Sequence, residues 1–77
     1  MPRIDLYKKL EKKLNSHQLQ IAQKYLEKAR DFYYADNIES ACHEINCAVA
    51  ALKHEEEYSA AENVLAAYYY LKYWQDN

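Results

Sequence analysis

The chain has 77 residues and a formal net charge of −2; 51% of its residues are hydrophobic and 29% are charged. This length allows one domain, with a core that buries only about 60–65% of the unfolded surface and little room for an enclosed active site. The hydrophobic content excludes a disordered chain. The sequence contains no glycine and a single proline, Pro2. Because small β-rich domains need such residues to reverse the chain, we predict one all-α domain over residues 1–77.

Hydrophobic periodicity divides the chain into helical segments. The first is short and carries an apolar stripe of Ile4, Tyr7, Leu10 and Leu14. Asn15 followed three residues later by Gln18 is typical of a capping box that begins a second helix. Since no glycine or proline stands at this break, a single fused helix over residues 3–34 remains an alternative.

Three longer helices are predicted over about residues 16–34, 38–53 and 55–74. Asp36 with Glu39 three residues later predicts the cap between the first two, and Ala29 and Ala41 should lie where they meet. The short connections require antiparallel neighbours. We therefore expect a small antiparallel bundle of three principal helices plus a short, or fused, N-terminal helix. The stripe expected to face the core from the last helix is Ala60, Val64, Ala67, Leu71 and Trp74.

Residues 25–48 carry small and aromatic side chains at the spacing W-x2-L-G-x2-Y followed by A-x3-F. The matching positions are Tyr25, Ala29, Phe32, Ala41, Ile45 and Ala48. This stretch resembles a single tetratricopeptide repeat, and the layout of the chain is similar to the microtubule-interacting-and-trafficking type of three-helix bundle. The resemblance implies paired helices with small residues at their contact. Lys28 and Lys53 depart from the motif, and no second copy follows, so a repeat array is excluded.

The C-terminal helix carries five aromatic residues among the seven at positions 68–74. They surround the helix, so a small core cannot cover them all. Tyr69 and Tyr73 share one face, and Tyr70 lies on another. Because tyrosine is enriched in protein interfaces, we predict an association surface of Tyr69, Tyr70 and Tyr73 that binds a protein partner or a second copy. The alternative is that these rings line the rim of the bundle.

The charge is divided along the chain. Residues 1–30 carry eight basic and three acidic side chains, a net charge of +5, whereas residues 31–77 carry a net charge of −7. The simplest interpretation is two solvated faces that attract each other. A second hypothesis is an anion-binding helix that contacts nucleic acid or an anionic membrane; its residues would be Lys8, Lys9, Lys12 and Lys13. The acidic balance of the whole chain disfavours nucleic acid.

Neither catalysis nor metal binding is predicted. Without glycine the chain has no phosphate-cradling loop and no nucleophile elbow. His43 and Cys47 have the i, i+4 spacing of metal ligands or of a nucleophile pair, but no second ligand pair and no oxyanion hole accompany them. We therefore expect a non-catalytic protein–protein interaction module without a cofactor, acting as a small adaptor, a regulator or a self-assembling helical protein.

The expected compartment is the cytoplasm. No apolar run reaches the roughly 18 residues of a membrane span, and the lysine-rich start lacks the apolar core of a signal peptide. Cys42 and Cys47, five residues apart on one helix, point in different directions and suit a reducing environment as free thiols.

Overall fold

The structure, a computed structural model, describes residues 6–74. Within this range the chain forms four α-helices and a closing π-helical turn: α1 (Leu6–Lys13), α2 (Ser16–Tyr34), α3 (Ile38–His54), α4 (Tyr58–Tyr69) and the π turn (Tyr70–Trp74). No strand occurs among the described residues. The prediction of an all-α fold is confirmed.

The break between α1 and α2 is a capping box. The Asn15 side chain accepts a hydrogen bond from the backbone N–H of Gln18 (2.8 Å), and the Gln18 side chain accepts one from the backbone N–H of Asn15 (3.1 Å). These bonds satisfy donors that a helix start leaves without partners. The two helices are therefore separate, and the fused alternative is wrong. Gln18 also donates to Glu57 (3.0 Å), which connects this end of α2 to the α3–α4 turn.

In the α2–α3 turn, the N-cap of α3 lies one residue later than the sequence predicts. The N-cap is Asn37, whose side chain accepts a hydrogen bond from the backbone N–H of Ser40 (3.2 Å). Asp36, predicted as the cap, instead has a left-handed backbone (φ 63°). The N–H groups of Asp36 and Asn37 bond back to carbonyls in the last turn of α2, which is the Schellman arrangement. Asp36 thus ends α2, and Asn37 begins α3.

The α3–α4 turn has the same geometry. Glu56 has φ 61°, and the N–H groups of Glu56 and Glu57 bond to the carbonyls of Lys53 (3.0 Å) and Leu52 (2.8 Å). Helix α4 therefore begins at Tyr58, with Glu57 as its N-cap. The prediction that residues 55–57 form its first turn is wrong, because the Schellman bonds use them to end α3.

The helices surround one core. Helix α1 contacts α2 and α4, and α3 contacts the same two helices. Each helix faces the centre with one stripe, and seven alanines among the buried residues let the backbones approach closely. The core consists of Leu10, Leu14, Ala22, Leu26, Ala29, Tyr33, Ala41, Ile45, Ala48, Val49, Leu52, Ala60, Ala61, Val64, Ala67 and Leu71.

The short helix α1 packs through Leu10, and Leu14, directly after the helix, is buried as well. At its start, the guanidinium of Arg30 in α2 stands 4.9 Å from the centre of the Tyr7 ring, a cation–π contact. Burial is the main cause of a raised pKa at Tyr7, reinforced by Glu27 and Glu11. Two predicted stripe members, Ile4 and the side chain of Trp74, lie outside the described part of the chain.

Candidate association surface

The outer side of α4 and of the π turn that follows it carries three widely exposed tyrosines. Tyr58, Tyr69 and Tyr73 expose 60%, 48% and 59% of their surfaces. Helix positions three and four apart share a side, so Glu62 and the pair Leu65 and Ala66 lie on the line between these rings. We call this line the tyrosine face; its residues are Tyr58, Glu62, Leu65, Ala66, Tyr69 and Tyr73.

The C-terminal end of the tyrosine face is ordered by ring contacts. The rings of Tyr69 and Tyr73 stack with centres 6.1 Å apart and planes 23° apart. Tyr68 meets Tyr69 edge to face at 5.4 Å. The π-helical turn begins at Tyr70, and such turns often occur at functional sites. The result is a small aromatic platform at the helix end.

Lys72 places a positive charge at the edge of this platform. Its ammonium group lies 5.6 Å from the ring centres of both Tyr68 and Tyr73 and donates a hydrogen bond to the Tyr68 hydroxyl (3.2 Å). This hydrogen bond raises the pKa of Lys72, and the nearby Tyr68 and Tyr73 oxygens act in the same direction. Lys72 therefore remains cationic at neutral pH.

Tyr70 stands apart from the other predicted tyrosines. It is half-buried and borders a pocket of about 140 Å³ between α1 and α4, together with Lys9, Lys13 and Asn63. The structure thus brings Tyr69 and Tyr73 together and places Tyr70 on another side of the helix. Tyr58, which sequence reasoning missed, joins the face instead. Its spacing of 11 residues from Tyr69, about three helical turns, is the signal that could have identified it.

The four N-terminal lysines all lie on the surface of α1. Lys8, Lys9, Lys12 and Lys13 are exposed, and the last two stand in the final turn of the helix, where cations are favoured by the helix dipole. Only Lys9 and Lys13 border the pocket that contains Tyr70. The predicted anion-binding residues therefore form an exposed basic helix with a shallow pocket along one edge.

A groove of about 470 Å³ runs between α3 and the end of α4. Its lining includes Cys42, Asn46, Tyr68 and Lys72. Burial raises the pKa of the Cys42 thiol, and the charge of Lys72 opposes this effect. A raised pKa disfavours the thiolate, which is the nucleophilic form. Burial therefore favours the neutral thiol of Cys42 in this groove.

His43 and Cys47, the two residues with i, i+4 spacing on α3, are in contact. The Cys47 sulfur lies 3.8 Å from Nε2 of His43. Across residues 6–74, however, no three His, Cys, Asp or Glu side chains come close enough together to hold a metal ion. Both cysteines are free thiols. The pair is consequently a local contact between two neighbouring turns of one helix.

No helix among the described residues has the length and apolar character needed to cross a membrane.

Comparisons with known proteins do not extend these observations. The small positions of the tetratricopeptide-like stretch, such as Ala29, Ala41 and Ala48, are buried, and the resemblance stays a prediction. Searches of family models, curated proteins and solved structures find no match to this chain.

Proposed function

We propose that this chain is a non-catalytic protein–protein interaction module, a small adaptor, regulator or self-assembling protein, and that the tyrosine face is its contact surface. The observation that carries the proposal is the exposure of Tyr58, Tyr69 and Tyr73 along one side of α4 and the π turn. Exposed tyrosines offer large contact area with few rotatable bonds, and tyrosine is enriched among residues that dominate binding energy. None of these three rings belongs to the hydrophobic core or packs against it.

The rest of the molecule fits this role. An antiparallel arrangement of three principal helices, closed by the shorter α1, would hold α4 by its buried side and leave its other side free to bind. The two free thiols, Cys42 and Cys47, suit a reducing compartment, and we propose that the module acts in the cytoplasm.

Site-specific photo-crosslinking tests the proposal. A photoreactive phenylalanine analogue is placed at Tyr69 in the cell that produces the chain, and at Tyr34 as a matched control. Tyr34 is also an exposed tyrosine (54%) but belongs to α2. We expect discrete protein adducts from position 69 only. Equal adducts from both positions, or none from position 69, would overturn the proposal.

The basic helix α1 supports a second candidate function, binding of nucleic acid or an anionic membrane surface. The observation in its favour is that Lys8, Lys9, Lys12 and Lys13 are all exposed on two turns of helix. If they contact phosphates, binding to DNA, RNA or anionic vesicles should weaken steeply as salt rises. Replacing Lys9 and Lys13 by Gln should then weaken it further, measured by fluorescence anisotropy or vesicle flotation. No binding at low salt would remove this candidate.

A further inference from the structure

We propose that the tyrosine face pairs with a second copy of this chain, helix α4 against helix α4 in antiparallel orientation, about a two-fold axis between Leu65 and Ala66. This inference rests on the proposed function and names its partner. A two-fold interface uses one surface twice, so that surface must be complementary to itself when reversed.

The tyrosine face meets this requirement through its spacing. Tyr58 and Tyr73 lie equally far, in residues, from the midpoint between Leu65 and Ala66, and so do Glu62 and Tyr69. An antiparallel pair centred there sets Tyr58 beside Tyr73 of the second copy at both ends. The residues of the tyrosine face are thus spaced nearly symmetrically about this midpoint.

The pairs created by this register are chemically compatible. Glu62, which is exposed, lies beside Tyr69 of the second copy, where its carboxylate can accept a hydrogen bond from the phenol hydroxyl. Hydrogen bonds to a charged acceptor are the stronger class. At the two ends, the tyrosine pairs offer ring-on-ring contact, which adds to the area they bury.

Charge favours the antiparallel orientation over the parallel one. The acidic residues Glu55, Glu56 and Glu57 precede α4, and the cation Lys72 lies near its end. An antiparallel pair places the acidic start of one helix near the Lys72 of the other. A parallel pair would instead set the acidic segments side by side and Glu62 against Glu62, and like charges brought together across an interface disfavour it.

The centre of the face permits close approach. Ala66 is exposed and Leu65 is half-buried, so a methyl group and a partly covered leucine stand at the crossing point. Small residues let two helices approach closely, while the larger tyrosines flank the contact on either side. The apolar contact therefore lies at this crossing point and at the tyrosines on either side, with Glu62 as the charged member of the face.

The available area indicates a weak dimer. Each tyrosine exposes about half of its surface, or roughly 100 Å² of the 150–250 Å² that an aromatic side chain buries in full. Three such rings in each copy supply a total of roughly 600 Å², whereas stable interfaces bury about 1,200–2,000 Å². Association should therefore be reversible and dependent on concentration, with each copy folded on its own.

The first test is sedimentation velocity of the purified full chain over a concentration series up to about millimolar. We expect a monomer–dimer equilibrium for the wild type and for Tyr34→Ser. The double variant Tyr69→Ser/Tyr73→Ser should remain monomeric with unchanged helical circular dichroism. A wild type that stays monomeric throughout overturns the two-fold pairing, while adducts to other proteins from position 69 would leave the proposed function standing. Dimerisation that the double variant retains overturns the pairing as well.

The second test fixes the orientation and does not depend on removing tyrosines. In a Cys42→Ala/Cys47→Ala background, Ala66→Cys and Glu62→Cys are each oxidised and analysed by non-reducing electrophoresis. Ala66→Cys should form a disulfide dimer, because position 66 meets itself near the axis. Glu62→Cys should not, because its two copies are offset by seven residues, about 10 Å along the helix, beyond the roughly 7 Å reach of a disulfide. Dimers from both variants mean a parallel pair, and dimers from neither mean another surface; each result contradicts the proposal.

Discussion

Replacing Ala41 by leucine is expected to lower the free energy of unfolding by about 1–3 kcal/mol, the typical cost of overpacking a filled core. Ala41 is fully buried in α3 and belongs to the hydrophobic core. A larger side chain at this position must push the neighbouring helix away or take a strained rotamer. In a domain this small, each kcal/mol corresponds to a shift of about 4–8 °C in the melting temperature.

Ala50→Leu provides the matched control. Ala50 lies in the same helix but is exposed, so both variants make the same chemical change with the same small effect on helix propensity. Thermal unfolding followed by circular dichroism should show a clear loss for Ala41→Leu and little change for Ala50→Leu. Equal melting temperatures for the two variants would mean that position 41 is not packed against a neighbouring helix.

Helix positions and their buried faces could be predicted because both depend on local periodicity. The stripe through Ala60, Val64, Ala67 and Leu71 follows from three- and four-residue spacing, and the structure buries all four residues. The capping box at Asn15 was recognisable for the same reason, since its two partners are only three residues apart. Such local signals need no knowledge of which helices become neighbours.

The two turns were harder to predict because the usual marker is missing. A helix that ends in a left-handed residue normally uses glycine there, and this chain has none. Asp36 and Glu56 take that conformation instead, so each turn could be placed only to within one to three residues. Asn37 could not be identified as the N-cap of α3 from the sequence, because Asp36, one position earlier, is an equally favourable cap residue.

The candidate surface was predicted only in part. The aromatic density near the C-terminus pointed to Tyr69 and Tyr73, but the direction of each ring depends on how α1 packs against α4. Tyr70 borders a pocket with Lys9 and Lys13 of α1, whereas Tyr58 is exposed at the other end of α4. Long-range packing of this kind has no signature within a single helical segment.

The missing glycines lead to the last prediction. Glu56→Gly should raise the free energy of unfolding by about 1 kcal/mol. A residue with a Cβ loses roughly 1–2 kcal/mol in the left-handed region, and glycine avoids this cost. Glycine also gives the unfolded chain more conformational entropy, which cancels part of the gain. Glu56 holds φ 61° in the Schellman turn between α3 and α4. Chemical denaturation at a fixed temperature measures the change directly.

Glu55→Gly separates backbone conformation from charge. Glu55 is the neighbouring residue, but its φ is −91°, so glycine relieves no strain there and only adds entropy to the unfolded chain. Both substitutions remove one carboxylate from the same acidic segment, and any gain from reduced repulsion is shared. We expect Glu56→Gly to be more stable than the wild type and Glu55→Gly to be less stable. Asp36→Gly should give a smaller gain than Glu56→Gly, because aspartate adopts the left-handed region more readily. A stability order with Glu55→Gly above Glu56→Gly would contradict the left-handed assignment at position 56.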